Sequence, residues 1–344
     1  METLRDLRLA QGLTQAELAE RAGLRVATLS AIERRQSWPR HTTIEALAQA
    51  LATTPASIAK TLQQEQRSAA PAADWRFLDG LDTDLRHGLL EQLLALWTHH
   101  STALEGNTIS LGDTLFILRE GATVSGHSLR EHAEIHGHRQ AIALLDRFLD
   151  ASRGPTVAEL HELHRQIQTG VTIDIFAPVG RWKVEANGTQ AITSDGMIGW
   201  HDYASPAHTP ALMRQVLRAI DRHCKKPPSD PAALVDAFVD IHLSITNVHP
   251  YADGNGRLAR LLANLPVLRA GQPPILIQQA DRKRYLQLLG DYCLARGAPV
   301  PGEMLVGAVT GALTALRDFI HEQWSPTLQV VADAHRRQAE RTTT

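Results

Sequence analysis

Apolar residues recur at three- and four-residue spacing along most of this chain of 344 residues. Leu and Ala dominate, aromatic residues make up only 5%, and runs of Val and Ile are few. This spacing gives a helix one apolar face, so it indicates amphipathic helices. The exception is residues 169–210, which hold five glycines, three prolines and short β-prone pieces such as residues 171–173. The sequence therefore predicts an all-α fold with one short β element.

A segment without large apolar side chains divides the chain. Residues 63–74 are mostly Gln, Ala and charged residues with one proline, a composition that suits a linker. We expect a small domain at residues 1–62, a larger helical domain at residues 75–325 and a C-terminal tail at residues 326–344.

Charge and cysteine content exclude several classes of protein. The net charge is −2, from 35 basic and 37 acidic residues, so any binding to nucleic acid must be local. Two cysteines, Cys224 and Cys293, cannot build a disulfide framework. There is no apolar run of membrane-spanning length, and the charged first six residues do not form a signal peptide. We therefore expect a cytoplasmic protein with no membrane partner.

Residues 14–33 follow a helix-turn-helix pattern. Thr14 and Glu17 can form a capping box that opens one helix, and Gly23 can end it in a left-handed conformation. A second helix follows, with Leu29 and Ile32 on its inner face. In this plan the second helix enters the major groove of DNA.

The string from Gln15 to Glu33 resembles the phage-repressor (XRE) family of five-helix DNA-binding domains, and the resemblance covers about residues 3–60. It implies binding of double-stranded DNA through residues 1–62, as a dimer that reads two half-sites. The alternative is that the basic residues form a solvated face and the domain mediates protein contacts. The residues that the resemblance places toward bases are Arg25, Val26, Ala27 and Ser30, and those toward phosphates are Gln15, Arg34, Arg35 and Arg40.

Two departures from the repressor pattern bear on this DNA-binding surface. Val26 and Ala27 can touch thymine methyl groups, but they cannot hydrogen-bond to base edges. Arg35 stands where the family usually has glycine after the recognition helix.

Residues 249–260, His-Pro-Tyr-Ala-Asp-Gly-Asn-Gly-Arg-Leu-Ala-Arg, contain a glycine-rich turn followed by a buried helix. The turn formed by Gly254, Asn255 and Gly256 can collect backbone amides at the positive end of that helix, which makes an anion site suited to phosphate. Arg257 and Arg260 are three residues apart and can both reach the anion.

Two further side chains of this motif complete a reactive site. Asp253 supplies one carboxylate beside the phosphates, as Mg²⁺ held mainly by phosphates and waters requires. His249 ends the preceding apolar helix and can act as general base on a hydroxyl group. Base, metal ligand, anion site and two arginines are the parts needed for phosphoryl or nucleotidyl transfer.

The same string resembles the signature of the Fic family over all twelve positions, with Tyr251 in place of the usual phenylalanine. Residues 180–184 and 203–213 resemble the two ends of the family's β-hairpin flap. Fic proteins mostly transfer AMP from ATP to a protein hydroxyl. The resemblance therefore implies ATP as substrate and Mg²⁺ as cofactor, with His249 as base, Asp253 as metal ligand and Arg260 at the γ-phosphate. Pro266 departs from the pattern and should end or kink the motif helix.

Residues 101–107, Ser-Thr-Ala-Leu-Glu-Gly-Asn, resemble the inhibitory signature of Fic proteins. Four-residue spacing should place Ser101 and Glu105 on one helix face, and Gly106 can terminate that helix. The resemblance implies that Glu105 pairs with Arg260 and occupies the place of the γ-phosphate. This corresponds to the class with inhibition built into the N-terminal part of the same chain.

Several histidines are expected to have no role in metal binding or catalysis. The cluster formed by His132, Glu134, His136 and His138 lacks a third ligand at catalytic spacing, so we expect no metal there. His161 and His164 are expected to be solvated or to cap helices.

The sequence thus predicts a protein adenylyltransferase that modifies a Tyr, Thr or Ser hydroxyl, its own chain included, and that forms a homodimer. Two alternatives stay open. One is a transcription regulator whose Fic domain senses nucleotide or modifies itself. The other is a related transfer or removal of AMP, with Glu105 positioning a water molecule.

Overall fold

The computed structural model describes residues 3–33, 39, 41–68, 75–150, 153–171, 178–307 and 310–343. The chain divides into two compact units, Met1–Ala73 and Asp74–Thr344. The division falls at the end of the segment expected to be a linker.

The described part of the N-terminal unit is built from five helices. Thr3 and Thr14 each cap a helix through a complete capping box, which confirms the sequence prediction for Thr14. Gly23 has φ +64°, so its left-handed conformation ends the second helix as expected. Leu29 and Ile32 are buried, as expected for the inner face of the second helix of the pattern, whereas Leu9 is 53% exposed. The helices are α1 (Leu4–Ala10), α2 (Gln15–Arg21), α3 (Val26–Glu33), α4 (His41–Ala50) and α5 (Pro55–Ser68).

A buried ion pair fixes the end of α3 to α1. Arg8 Nε lies 2.6 Å from Glu33 Oε1, and the two side chains are 7% and 3% exposed. Arg8 Nη1 also donates to Leu13 O, and Gln15 Nε2 donates to Glu33 Oε2, both at 2.7 Å. Burial raises the pKa of Glu33, but its hydrogen bonds from Arg8 and Gln15 outweigh that effect and hold it below the ordinary value. The contacts set the orientation of α3 in this unit.

In the described part of the larger unit, the regular structure is helical apart from one hairpin. Its central helix is buried on nearly all sides, which explains its continuous apolar sequence. Among the residues that the structure describes, no helix is both long and apolar enough to cross a membrane. The helices are α6 (Thr83–Ala103), α7 (Leu111–Glu120), α8 (Leu129–Asp150), α9 (Val157–Ile167), α10 (Thr209–Lys225), α11 (Pro231–Val248, the central helix), α12 (Asn255–Ala263), α13 (Leu265–Arg269), α14 (Arg282–Arg296) and α15 (Thr310–Thr343).

The β element lies inside the segment predicted for it. Strands β1 (Gly188–Ile192) and β2 (Ile198–Asp202) pair antiparallel, with Gly188 opposite Asp202 and Ile192 opposite Ile198. The hairpin packs on α14, where Gly290 leaves room for the backbone of Ile192. Residues 172 and 173, part of the expected β-prone piece, lie outside the described residues.

Two segments expected to be linker and tail are partly helical. Helix α5 continues to Ser68, because Gln, Glu and Arg favour helix even where no apolar side chain is present. Helix α15 continues to Thr343 through the expected tail. Arg341 on this helix pairs with Asp84 at 2.7 Å, and His335 Nε2 lies 2.8 Å from Phe77 O. These contacts hold the end of α15 on its own unit.

The motif helix ends before Pro266, as predicted. Helix α12 stops at Ala263, and Pro266 lies in the first turn of α13, where its missing N–H costs no intrahelical hydrogen bond. Asn264, between the two helices, connects α12 to the segment that follows α13, since its Nδ2 donates to Arg260 O and its Oδ1 accepts from Ile275 N.

Candidate active site

His249 stands at the end of the central helix in a rare backbone conformation. It is the C-cap of α11, with φ 48° and ψ 61°. Positive φ is uncommon outside glycine and is often found at functional positions. The imidazole stacks on Tyr203, with ring centroids 3.7 Å apart and planes 7° apart. The backbone turn and the stack together hold the ring in one orientation.

The protonation of His249 follows from its surroundings. Its Nδ1 lies 3.2 Å from Thr246 O, and a carbonyl oxygen can only accept, so Nδ1 carries the hydrogen. Nε2 is left with a lone pair. Burial lowers the pKa of His249 to about 4, so the ring is neutral at physiological pH. A neutral ring with a free Nε2 can take a proton from a hydroxyl group.

Lys183 ties the start of the hairpin segment to the residues around His249. Its Nζ donates to Val248 O at 3.1 Å and to Asn187 Oδ1 at 2.5 Å, and its backbone N donates to Pro250 O at 2.9 Å. Burial lowers the pKa of Lys183 to about 8. The sequence analysis assigned Lys183 no role beyond the flap resemblance.

The glycine turn leaves no space for larger residues. Gly254 has φ +77°, and a Cβ there would lie 2.6 Å from Gln168 Nε2. A Cβ on Gly256 would clash with Glu105 Oε1. Asn255 closes the loop, because it accepts from Tyr251 N and donates to Tyr251 O, both at 2.9 Å. The turn thus carries small residues at the N terminus of α12, as its proposed anion site requires.

Both motif arginines are buried. Arg257 is 2% exposed, and its Nη1 donates to Ile167 O at 3.2 Å. Its Nε has no hydrogen-bond partner within the described ranges. Arg260 is 4% exposed and donates from Nε to Ser101 Oγ at 3.1 Å and from Nη2 to Ser101 O at 2.8 Å. Two guanidinium groups are therefore held beside the turn.

Glu105 pairs with Arg260 next to this turn. Glu105 Oε1 lies 2.6 Å from Arg260 Nη2, and the glutamate side chain is 39% exposed. Burial raises the pKa of Glu105, but the charges of Arg260 and Arg257 outweigh it and hold the pKa below the ordinary value. An ionised carboxylate therefore lies beside Gly256, where an anion bound by the turn would also lie.

The local structure around Glu105 differs from the expected shared helix face. Helix α6 ends at Ala103, so Ser101 lies in its last turn and Glu105 lies in the turn that follows. Gly106 has φ +101° and continues that turn rather than ending the helix itself. Ser101 and Glu105 nevertheless contact the same guanidinium, because the turn brings the carboxylate back over α12.

Asp253 is the residue suited to a metal ion. Its side chain is 63% exposed and lies 3.6 Å from Arg257 Nη2. Burial raises the pKa of Asp253, but the charge of Arg257 outweighs it, so the carboxylate is ionised. One exposed carboxylate beside an anion site fits Mg²⁺, which keeps several waters and binds substrate phosphates. The described residues contain no group of three or more His, Cys, Asp or Glu able to hold a metal.

His164 is buried in this site, and the expectation of a solvated or capping role is wrong. It is 1% exposed and stacks on Tyr251, with ring centroids 3.7 Å apart. Its Nε2 lies 2.9 Å from Asp253 O, and its Nδ1 accepts from Gly180 N at 3.0 Å. His161 lies one turn earlier on α9, with Nδ1 2.9 Å from Tyr251 OH. Their three-residue spacing on one helix face was the available signal.

Within the discounted histidine cluster, His132 has other partners. Both ring nitrogens of His132 are engaged, since Nε2 accepts from Val124 N at 3.0 Å and Nδ1 lies 2.8 Å from Ser128 O. His138 is fully buried, and burial holds its pKa well below the ordinary value.

Three of the described residues expected to face DNA are exposed. Arg25, Val26 and Ala27 are exposed at the start of α3, and Ser30 is half-buried. Gln15 uses one of its N–H donors on Glu33. Arg34, Arg35 and Arg40 lie outside the described residues.

Comparison with known proteins agrees with both parts of the chain. The helix-turn-helix family matches residues 4–58, and the Fic/DOC family matches residues 155–267. A protein adenylyltransferase Fic of Drosophila ananassae is 29% identical over 257 residues, covering 70% of this chain and 48% of that protein. A protein adenylyltransferase of Caenorhabditis elegans is 28% identical over 201 residues, covering 57% of this chain and 36% of that protein. The chain thus spans about half or less of these relatives.

A solved structure shows the same fold. It is a Fic domain containing signaling protein of Bacteroides thetaiotaomicron, with a TM-score of 0.64 and 25% identity, and the match covers 79% of this chain and 96% of that one. The chain therefore contains a Fic/DOC family domain at residues 155–267, preceded by a helix-turn-helix domain at residues 4–58.

Proposed function

We propose that this protein transfers AMP from ATP to a Ser, Thr or Tyr hydroxyl of a protein, its own chain included, and that Glu105 restrains the reaction. The observation that carries the proposal is the arrangement around α12. A neutral His249 with a free Nε2 ends one helix, and the next helix begins with a glycine turn flanked by buried Arg257 and Arg260.

His249 begins the reaction by taking the hydroxyl proton on Nε2. The hydroxyl oxygen then bonds to the α-phosphorus of ATP, the bond from that phosphorus to the bridging oxygen breaks, and pyrophosphate leaves. The amides of the turn and the two arginines hold the β- and γ-phosphates and stabilise their charge. A Mg²⁺ ion would be held by Asp253 and would neutralise further phosphate charge.

The restraint follows from competition for one guanidinium. Arg260 offers a planar set of donors, and Glu105 already engages Nη2 at 2.6 Å. A γ-phosphate must either displace this carboxylate or bind with its chain of phosphates shifted. A shift on the order of 1 Å can cost about 10²-fold in rate.

Labelled ATP tests the reaction type. The full chain and its Glu105→Gly variant are incubated with Mg²⁺ and ATP labelled at either the α- or the γ-phosphate, and whole-chain mass is recorded. We expect label from α-labelled ATP only, and a mass increase equal to one AMP group per modified site. Label from γ-labelled ATP would instead indicate phosphorylation, and label from neither would contradict both transfers.

Removal of AMP is the second candidate, because Glu105 is ionised and partly exposed beside the anion site. AMP-modified protein prepared with the Glu105→Gly variant is mixed with wild-type protein and Mg²⁺, and released AMP is measured. Release by wild type but not by Glu105→Gly would favour removal as the main activity.

We further propose that residues 1–62 bind double-stranded DNA as a homodimer in the cytoplasm. The supporting observation is the exposed start of α3, with Arg25, Val26 and Ala27 on its surface. Selection of duplexes by the full chain, followed by a salt titration, tests this proposal. Binding should weaken steeply with salt, because phosphate contacts dominate affinity. An absence of salt-dependent binding to any duplex would identify a protein-contact domain.

A further inference from the structure

His164 bridges two loops that approach the candidate site from different parts of the sequence. It lies on α9, and its two ring nitrogens contact backbone atoms of Gly180 and Asp253, which are 16 and 89 residues away. Gly180 opens the segment that leads to the hairpin, and Asp253 carries the carboxylate suited to a metal ion. No other contact of the ring is needed to connect these loops.

The two hydrogen bonds fix the tautomer of His164. Gly180 N can only donate, so Nδ1 accepts and carries no hydrogen. Nε2 therefore carries the hydrogen and donates to Asp253 O, which can only accept. In this tautomer Nδ1 can only accept and Nε2 can only donate. The stack on Tyr251, at 3.7 Å and 8° between planes, fixes the ring plane between the loops.

We propose that His164 is a positioning residue that couples the metal-binding loop to the loop leading into the hairpin. The inference rests on the proposed function, because Asp253 is taken as the ligand of the metal bound with the nucleotide. A shift of the Asp253 backbone when metal and nucleotide bind is passed through one rigid ring to Gly180. Occupancy of the nucleotide site is thereby communicated to the segment that precedes β1.

Three substitutions separate the parts of this connection. His164→Phe keeps a ring for the stack on Tyr251 and removes both hydrogen bonds. His164→Gln can place an amide donor near the position of Nε2, and His164→Asn can place an acceptor near the position of Nδ1. His161→Phe is the matched control, since the His161 ring lies on the same helix and contacts Tyr251 and Trp182 without a hydrogen bond to Gly180 or Asp253.

Two measurements on the full chain report the two connections of His164, one to the Gly180 loop and one to the Asp253 loop. The first is hydrogen exchange of a peptide containing Gly180, without ligand and with Mn²⁺ and ADP. The second is the ratio of ADP affinities with and without Mn²⁺, which isolates the contribution of the metal loop. Both are made in the His249→Ala background so that no turnover occurs, and circular dichroism confirms that each variant is folded.

We expect Mn²⁺ with ADP to slow exchange at Gly180 in the parent protein. In His164→Phe, exchange at Gly180 should be faster and insensitive to ligand, and the Mn²⁺-dependent gain in ADP affinity should fall by about 10–100-fold, as for other residues that orient metal ligands. His164→Gln should recover the Mn²⁺ gain only, and His164→Asn should recover protection of Gly180 only. His161→Phe should change neither.

The coupling is overturned if His164→Phe keeps the ligand-dependent protection of Gly180 and the full Mn²⁺-dependent gain in ADP affinity. If His164→Phe does not fold, the same result in both His164→Gln and His164→Asn overturns it. It is also overturned if the parent protein shows no Mn²⁺ gain. Because neither measurement uses AMP transfer, a parent that binds Mn²⁺ with ADP and couples to Gly180 but transfers no AMP would contradict the proposed function alone.

Discussion

The two units of this protein hold the side chains proposed to be functional in opposite ways. In the larger unit Arg257, Arg260 and Asn255 are almost completely buried, and each has named partners that fix its position. In the N-terminal unit Arg25 and Val26 lie exposed on α3, whereas buried Arg8 and Glu33 only set the orientation of that helix. Chemistry on phosphates depends on charges fixed before substrate arrives, while DNA recognition uses a solvated surface on a rigid frame.

The proposed base should show the largest effect. We expect His249→Ala to lower AMP transfer by about 10²–10⁴-fold, the usual contribution of a general base. ATP affinity should change little, because the ring does not belong to the glycine turn. Rates are measured with α-labelled ATP in the Glu105→Gly background, and His208→Ala, an exposed histidine of the same unit, is the control. Equal turnover by His249→Ala would contradict its assignment as base.

Release of the inhibitory contact should give the next largest effect. We expect Glu105→Gly to raise AMP transfer by roughly 10–100-fold at similar ATP affinity, because Arg260 becomes free for the γ-phosphate. Ser101→Ala should act in the same direction but less, since the Ser101 carbonyl still binds Arg260. Glu105→Gly combined with His249→Ala should lose this gain, because release of the contact cannot replace the base. An active wild type with no gain from Glu105→Gly would reduce residues 101–107 to a structural turn.

Acid should destabilise the two units unequally. Burial lowers the pKa of His100, His136, His164 and His249 to about 4, and of His242 to about 3. These groups stay neutral when folded but take up protons when unfolded below their ordinary value of about 6.5, so stability is full above that pH and is lost between about 6.5 and 4.

Calorimetry of the full chain between pH 7 and 4.5 measures this difference. The transition of the larger unit should fall on the order of 10 °C, since each kcal/mol shifts Tm by about 2–4 °C at this size. The sequence of residues 1–68 contains one histidine, His41, whose side chain is 80% exposed. The unfolding transition of the N-terminal unit should therefore move less. Parallel shifts of both transitions would contradict the histidine account.

The exposed recognition surface should give the smallest effect. Arg25→Ala in the full chain should weaken binding to the preferred duplex by about 1–3 kcal/mol and relax the preference at one base pair. Lys60→Ala, an exposed charge on α5, is the matched control. Arg34→Ala with Arg35→Ala should weaken binding to all duplexes about equally. It should also reduce the slope of the logarithm of affinity against the logarithm of salt concentration. An equal loss for Arg25→Ala and Lys60→Ala would indicate a charge effect without sequence recognition.

Much of the fold and the chemical motif could be predicted because the signals are local. Helical spacing, the Thr14 capping box and the glycine turn each involve residues within a few positions of one another. The position of the hairpin followed from glycines and prolines clustered in one segment. The expected pairing of Glu105 with Arg260 came from family resemblance, and the structure places those groups 2.6 Å apart.

The remainder depended on contacts between distant parts of the chain. The stack of His249 on Tyr203 and the two bonds of His164 join residues far apart in sequence, so local patterns could not show them. The end of α15 is held by a pair whose members are 257 residues apart. Local composition could show that the C-terminal part of α15 is polar, but not which surface of the larger unit it contacts.

Gly256 has a consequence for how this protein can acquire constitutive activity. Any side chain at this position would meet the Glu105 carboxylate, and it would also fill the space proposed for a phosphate. We therefore expect substitution there to remove the proposed restraint and the proposed substrate site together, with no gain in activity. A selection for hyperactive mutants should therefore recover changes at residues 101–107 and leave codon 256 unaltered. The proposed restraint can thus be lost by mutation of the segment that carries Glu105, but not by mutation of Gly256.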